Sequence, residues 1–210
     1  MKYQSLLPIT FVDHNIEVIN ELASGLGKFP DCRFIHGDIF EAGPGTLVSP
    51  SNSYGDMGGG IDKVYSERFP GIEDRLHEFI ENDYAGRLDI GQALTLPTHD
   101  KCYPYMVFSP TVETAGDIAT KQSVYLASRA VLLETIMFND KTEKSKINFG
   151  IGWIRPRKIE RLLIPGLGTG SGGLPAEDSA QAIKRGFTNI YQNLDKILAE
   201  PERFDKNIYL

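Results

Sequence analysis

The 210-residue chain builds the same arrangement twice: an apolar run, a glycine-rich loop and the start of a helix. The first is LVSPSNSYGDMGGGIDKVY, residues 47–65; the second is LLIPGLGTGSGGLPAED, residues 162–178. Glycines at a strand-to-helix turn let the backbone approach a ligand closely. The N–H groups of such a loop, with the start of the next helix, make an anion site. Two such loops at one sheet edge can clasp a pyrophosphate from both sides. Ligands of open α/β sheets sit at that carboxyl edge. Asn52 stands where strand becomes loop, and Asp62 opens the following helix. An amide and a carboxylate there can hold sugar hydroxyls, and the carboxylate can orient or deprotonate a water. Each also has a plainer use, Asn52 as a loop cap and Asp62 as a helix cap. Asp38, after Gly37, reads by itself as a turn or cap residue.

Other chemistries fit less well. Gly168-x-Gly170-x-x-Gly173 matches the dinucleotide pattern. It lies near the C-terminal end, with no convincing strand after its helix, so a Rossmann unit cannot be completed. Neither loop carries the lysine of a Walker A motif. Cys32 and Cys102 have no metal-ligand or redox spacing and read as two free, buried thiols. Lys plus Arg is 22 and Asp plus Glu is 28, giving a net charge of -6. That balance argues against general nucleic-acid binding. No apolar run approaches the roughly 18 residues of a membrane span. The start, MKYQSLLPITFVDHN, makes a poor signal peptide. A cytoplasmic location is expected.

The elements that must position these loops follow from periodicity. Strands are expected at 9–12, 32–35, 45–49, 93–96, 105–108 and 161–164. Asn15 caps a helix to about Ser24, ended by Gly25 and Gly27. Helices follow at about 61–69 and 71–82, the latter with Ile72, Leu76, Phe79 and Ile80 inward. A long amphipathic helix spans Ile118 to Phe138, and a final one runs from near Pro175 to about Glu200. Strands alternating with helices argue for a layered α/β domain with a central mixed sheet. One domain over 1–210 is expected, with an inserted segment at about 139–160. From Lys141 to Arg161 that segment has seven basic and two acidic residues. A solvated loop explains this, and a docking surface for an anionic partner is the alternative.

In this order and spacing the residues resemble a macro domain, the ADP-ribose-binding module. The G-D-I-[TV] segment of that family is Gly37-Asp38-Ile39-Phe40 here. Its V-N-A-A-N run, spacer and G-G-G-[VI]-[DA] run are Val48-Ser49-Pro50-Ser51-Asn52 and Gly58-Gly59-Gly60-Ile61-Asp62. Its P-x-[IL]-x-T-G-x-x-G ending is Pro165 to Gly173. The resemblance covers roughly residues 32–198 and implies a three-layer α/β/α sandwich with a mostly parallel sheet. It implies that Asp38 accepts from the adenine amino group and Ile39 offers its N–H to the ring. Asn52 would hold the distal ribose. Gly59, Gly60 and Ile61 would line one side of the diphosphate, and Gly168, Thr169, Gly170, Ser171 and Gly172 the other. Asp62 matches the carboxylate with which hydrolytic members position or activate water, so Asn52 and Asp62 are the catalytic candidates. The implied activity is of ADP-ribosyl (glyco)hydrolase type, on ADP-ribose derivatives or ADP-ribosylated substrates, with no metal and no cofactor. A monomer is expected. A non-catalytic reader of ADP-ribose or a related NAD metabolite, and a phosphatase on ADP-ribose 1''-phosphate, would use the same pocket. The chain departs from the family pattern at Ser49, which replaces the first Asn, and at Gly172, where many members carry an aromatic shield. The Gly172 change is expected to open the distal side, with Tyr54 or Phe108 as substitute rings.

Overall fold

The computed structural model describes residues 5–144, 147–148, 153–154 and 157–203. Its elements in order are β1 (Ile9–Asp13), α1 (Ile16–Leu26), β2 (Cys32–His36), β3 (Thr46–Ser49), α2 (Gly60–Arg68) and α3 (Ile72–Asp83). Then come β4 (Leu94–Pro97), β5 (Tyr105–Phe108), α4 (Lys121–Lys144), β6 (Ile147–Asn148), β7 (Trp153–Ile154), β8 (Leu162–Ile164) and α5 (Ala176–Ala199). A short 3-10 turn, Pro201–Arg203, follows.

Six strands form one sheet in the order β2-β1-β8-β3-β5-β4. Every pairing is parallel except β4 with β5. The strands are short and apolar because the sheet is covered on both faces. Their side chains alternate between the two coverings. Ile9, Phe11, Val48, Val107, Leu162 and Ile164 pack into the core shared with α1, α4 and α5. Val12, Leu47, Met106, Phe108 and Leu163 pack into the core shared with α2 and α3. The result is the expected layered α/β architecture with a mixed, mostly parallel sheet.

The helices start and stop for local reasons. Asn15 caps α1, its Oδ1 accepting from Glu17 N at 2.9 Å. Gly27 ends that helix, whereas Gly25 lies inside it. Gly25 serves packing instead: a Cβ there would sit 3.7 Å from Ala180 O of α5. Ile72, Leu76 and Ile80 of α3 are buried, but Phe79 is exposed. Phe79 is one position short of Ile80, and its ring lies against Tyr84 at the helix end. Helix α4 begins at Lys121, after Ile118, which is 77% exposed. Its expected inward residues Val124, Ala127, Val131, Leu132 and Ile136 are all buried. Of the two cysteines expected to be buried, Cys32 on the edge strand β2 is partly buried against the core, and Cys102 in the β4–β5 connection is exposed.

Of the expected insertion at 139–160, residues 145–146, 149–152 and 155–156 fall outside the described residues. Its start continues α4 as far as Lys144, and Ile147–Asn148 pairs antiparallel with Trp153–Ile154. Of the basic patch at 141–161, Lys146 and Arg155 lie outside the described residues, and so does the tail beyond residue 203.

Helices α4 and α5 cross closely at Gly186. A Cβ there would come within 2.9 Å of Tyr125 O and 3.2 Å of Arg129 N. Arg129 Nε donates to Asn189 at 2.9 Å across the same seam. Overpacking such a contact costs about 1–3 kcal/mol. Gly186→Ala is therefore expected to lower the thermal midpoint by several degrees, read by circular dichroism. An unchanged midpoint would show that the two helices can spread.

Candidate functional site

The carboxyl ends of β1, β3 and β8 open into a cleft of about 820 Å³. The β3 end continues into the first glycine loop and α2; the β8 end continues into the second and α5. Because β8 pairs directly with β3, Thr46 with Leu162 and Leu47 with Leu163, the two loops emerge side by side. They face each other across the cleft. A Cβ on Gly59 would lie 3.5 Å from Ser171 Oγ, and one on Gly60 3.3 Å from it. Side chains at these positions would narrow the gap that the glycines hold open. Gly60 and Gly168 have φ of 55° and 73°, a left-handed backbone that favours glycine.

The second loop is fastened from below. Ser179 Oγ of α5 donates to Leu167 O at 2.7 Å, and Leu174 N to Gly168 O at 2.9 Å. Asp13, at the end of β1, accepts from Asn15 N at 2.8 Å and from Gly166 N at 3.1 Å. One carboxylate thus ties β1, the start of α1 and the second loop together.

All twelve site residues singled out from the sequence line this one cleft. Asp38 and Ile39 stand at the end reached from β2, beyond Gly37, whose N–H donates to Asp13 O. Asp38 Oδ1 accepts from Phe40 N at 2.8 Å, so Asp38 is also the turn residue its sequence context suggests. Asn52 and Asp62 stand at the other end.

Asn52 is 5% exposed and largely committed to its own loop. Its Oδ1 accepts from Tyr54 N at 3.0 Å and Asp56 N at 3.2 Å, and its Nδ2 donates to Asp56 O at 3.2 Å. The amide has a second N–H that these bonds do not use. Asp62, in the first turn of α2, is 8% exposed. Ser49 Oγ donates to its Oδ1 at 2.6 Å. Burial pushes the Asp62 carboxyl up to about 7; Ser49 opposes this and the charge of Glu73 adds to it. Glu73 in turn accepts from Met57 N at 2.8 Å, which anchors the first loop to α3. Burial and the Asp62 charge push the Tyr65 phenol well above its ordinary range; its hydroxyl donates to Val48 O. Ser49 therefore does more than replace an asparagine: it fixes the carboxyl that faces the cleft.

Position 172 is not an opening. A Cβ there would meet Ala119 Cβ and Gly168 O, both at 2.9 Å, and Ala119 N donates to Gly172 O at 2.8 Å. The space is closed by residues 111–119, which carry no helix or strand pattern. Thr111 N donates to Ser51 O and Ser53 N to Glu113 O, both at 3.0 Å, laying this segment along the first loop. Asp117 holds its shape by accepting from Thr114 N and Oγ1, both at 2.8 Å. Val112, Gly116 and Asp117 line the cleft as a result. Neither substitute ring reaches it. Phe108 is fully buried in the core beneath α2 and α3, and Tyr54 points outward at 45% exposure. The imidazole of His14 is the one aromatic ring among the described lining residues.

The sequence signal for Asp13 was available in part, since Asp-x-Asn before a helix is a capping pattern. Residues 111–119 gave none, because their place depends on hydrogen bonds to distant loops. Among the described residues no group of three His, Cys, Asp or Glu side chains is placed to hold a metal ion. No helix among them is long and apolar enough to cross a membrane.

Comparison with known proteins agrees with this architecture. The sequence model of the Macro family, described as macro domain, matches residues 48–183. An uncharacterized protein of Aquifex aeolicus (strain VF5) is 30% identical over 153 residues, covering 73% of this chain and 78% of its own length. Among solved structures, the macrodomain of Mycobacterium tuberculosis DarG superposes with a TM-score of 0.55 at 20% identity, over 74% of this chain and 88% of that one. Thermosipho africanus DarTG in complex with ADP-ribose gives 0.52 at 20% identity, over 73% of this chain but 37% of that one. A mutant Oceanobacillus iheyensis macrodomain with ADPR gives 0.53 at 15% identity, over 71% of this chain and 72% of that one.

The buried carboxyl makes stability depend on pH. In an unfolded chain Asp titrates near 3.9, whereas folding raises Asp62 to about 7. The fold therefore favours the protonated acid, and that contribution is lost as pH rises from about 4 through about 7. Asp62→Asn keeps an acceptor for Ser49 without the charge. It is expected to melt above the parent at pH 8, with the gap closing as pH falls toward 4. A gap independent of pH would show that Asp62 is not held uncharged by burial.

Proposed function

The chain belongs to the macro domain family, and on that premise we propose that its cleft binds ADP-ribose and that it hydrolyses an ADP-ribosyl linkage at the distal ribose. The observation that carries this reading is the pair of glycine loops facing each other at the carboxyl edge of β3 and β8. Their backbone amides suit a diphosphate held between them. The cleft volume of about 820 Å³ lies within the range of small-molecule sites, roughly 300–1,000 Å³.

In this reading Asp38 accepts from the adenine amino group and the Ile39 N–H meets the ring. The diphosphate lies between Gly59, Gly60 and Ile61 on one side and Gly168 to Gly172 on the other. Asn52 offers its remaining amide proton to a hydroxyl of the distal ribose. Asp62 orients a water toward the anomeric carbon and takes its proton as the glycosidic bond breaks. A carboxyl near 7 suits that task, because general bases work best when their pKa lies near the operating pH. Ser49 holds the carboxyl in place. The commitment of Asn52 to its own loop favours a second reading, a reader that binds ADP-ribose without cleaving it.

Calorimetric titration with ADP-ribose is expected to show one binding site, with ATP failing to compete. Absence of binding would overturn both readings. Asp62→Ala is expected to lower turnover of an ADP-ribosylated substrate by about 100-fold or more while ADP-ribose still binds. For the parent, kcat/KM should rise with pH through about 7 as Asp62 ionises, and this rise should vanish in Asp62→Asn. Tight ADP-ribose binding without turnover on any substrate would select the reader.

A further inference from the structure

The charges in the cleft wall are unbalanced. Asp13, Asp38, Asp56, Asp62 and Asp117 line it, and among the described lining residues there is no lysine or arginine. Asp13 spends both oxygens on backbone amides. Asp38 lies with it, at the end away from Asn52. The other three are carried by segments that surround Asn52. Asp56 is joined to the Asn52 amide through its own N–H and carbonyl. Asp62 follows the same loop in the first turn of α2. Asp117 is brought there by the segment laid along Ser51 and Ser53 and pinned to Gly172 through Ala119.

Nearby cations do not offset them. Arg87 is engaged by Asp89 at 2.9 Å and Glu113 at 3.2 Å. His77 Nε2 stands 3.9 Å from Asp56 Oδ1, outside the cleft wall. Two donors from Thr114 hold Asp117 below the usual carboxylate range, so it stays ionised. Separately from the acids, the facing loops provide amides for a diphosphate, and the cleft continues past them to Asn52, Val112 and Gly116. A group attached to the distal ribose would lie there.

Resting on the ADP-ribose reading, we propose that this group is a cation: a nitrogen aglycone of pyridinium or guanidinium type, carried toward Asp56, Asp62 and Asp117. A terminal phosphate at the same place would meet a wall that carries these three aspartates, with no lysine or arginine among the described lining residues. A wall of one sign attracts opposite charge and repels like charge, most strongly at low salt. The chemistry balances without a co-reactant other than water. Water's oxygen bonds to the anomeric carbon as the carbon–nitrogen bond breaks, and the bonding electron pair stays on nitrogen. A pyridinium leaves as the neutral pyridine, and one proton goes to solvent by way of Asp62. A guanidinium group leaves still protonated, its nitrogen taking the proton that water gives up.

Binding can be read without turnover. Carba-NAD, a pyridinium ligand whose corresponding bond cannot hydrolyse, is compared by calorimetry with ADP-ribose and ADP-ribose 1''-phosphate. At low salt the cation is expected to bind about tenfold tighter than ADP-ribose, and the phosphate about tenfold weaker. Raising salt toward molar concentration should compress this order. The Asp56→Asn/Asp117→Asn double variant should bring the three ligands within about threefold of one another. ADP-ribose binding with a flat or reversed order would overturn this inference and leave the ADP-ribose reading standing. Failure of ADP-ribose itself to bind would overturn both. Release of nicotinamide from NAD, against release of agmatine from ADP-ribosyl-agmatine, then assigns the cation to the pyridinium or the guanidinium source.

Discussion

The placement of β8 between β1 and β3 is the constraint on which the rest of the molecule depends. β8 has only three residues, Leu162 to Ile164, yet it is hydrogen-bonded in parallel on both sides. All three side chains are buried. Leu162 and Ile164 enter one core and Leu163 the other, so this strand stitches the two helical layers to the sheet. Parallel pairing aligns its carboxyl end with those of β1 and β3. That alignment sets two loops, more than a hundred residues apart in sequence, against one another. A slip of one residue would send every side chain of β8 to the wrong face.

Around this strand the polar contacts are arranged to hold the loops rather than to add stability for its own sake. Asp13 ties the end of β1 to the first residues of the second loop. Ser179 ties that loop to α5. Glu73 ties the first loop to α3, and Asn52 ties it to itself. Backbone amides freed at the loops are then available to a ligand, because side chains satisfy the loops' other needs. The cost is concentrated at Asp62. Its burial lifts its pKa into the neutral range, against the opposing hydrogen bond from Ser49. Buried carboxyls of this kind are frequent at catalytic sites, since a base near neutrality can both take and return a proton.

The substitution pattern of the family reads differently once the third dimension is present. In sequence, Gly172 marks a lost side chain and so an opened cleft. In the structure the space is taken by Ala119, and the 111–119 segment forms that part of the wall. Sequence comparison scores one position at a time, whereas packing conserves volume across neighbours. In the same way Ser49 reads as a lost amide in the motif but acts as the donor that holds Asp62.

Much was determined by the sequence itself. Glycine clusters after apolar runs marked both loops, because few other residues can turn a chain there without filling the space. Asn15 and the apolar faces of α1, α3, α4 and α5 marked the helices, because capping and burial are set by nearest neighbours along the chain. The twelve residues that line the cleft were legible as candidates for the same reason: each belongs to a short local motif. The tertiary structure alone decided what those motifs do together. It placed β8 between β1 and β3, brought Ser49 onto Asp62, and committed Asn52 to its loop. It moved Phe108 into the core and Tyr54 to the outside, and it laid residues 111–119 into the wall. These facts rest on hydrogen bonds and contacts between residues far apart in the chain. Their free energy exists only once the sheet has assembled, so no local pattern of residue types records them.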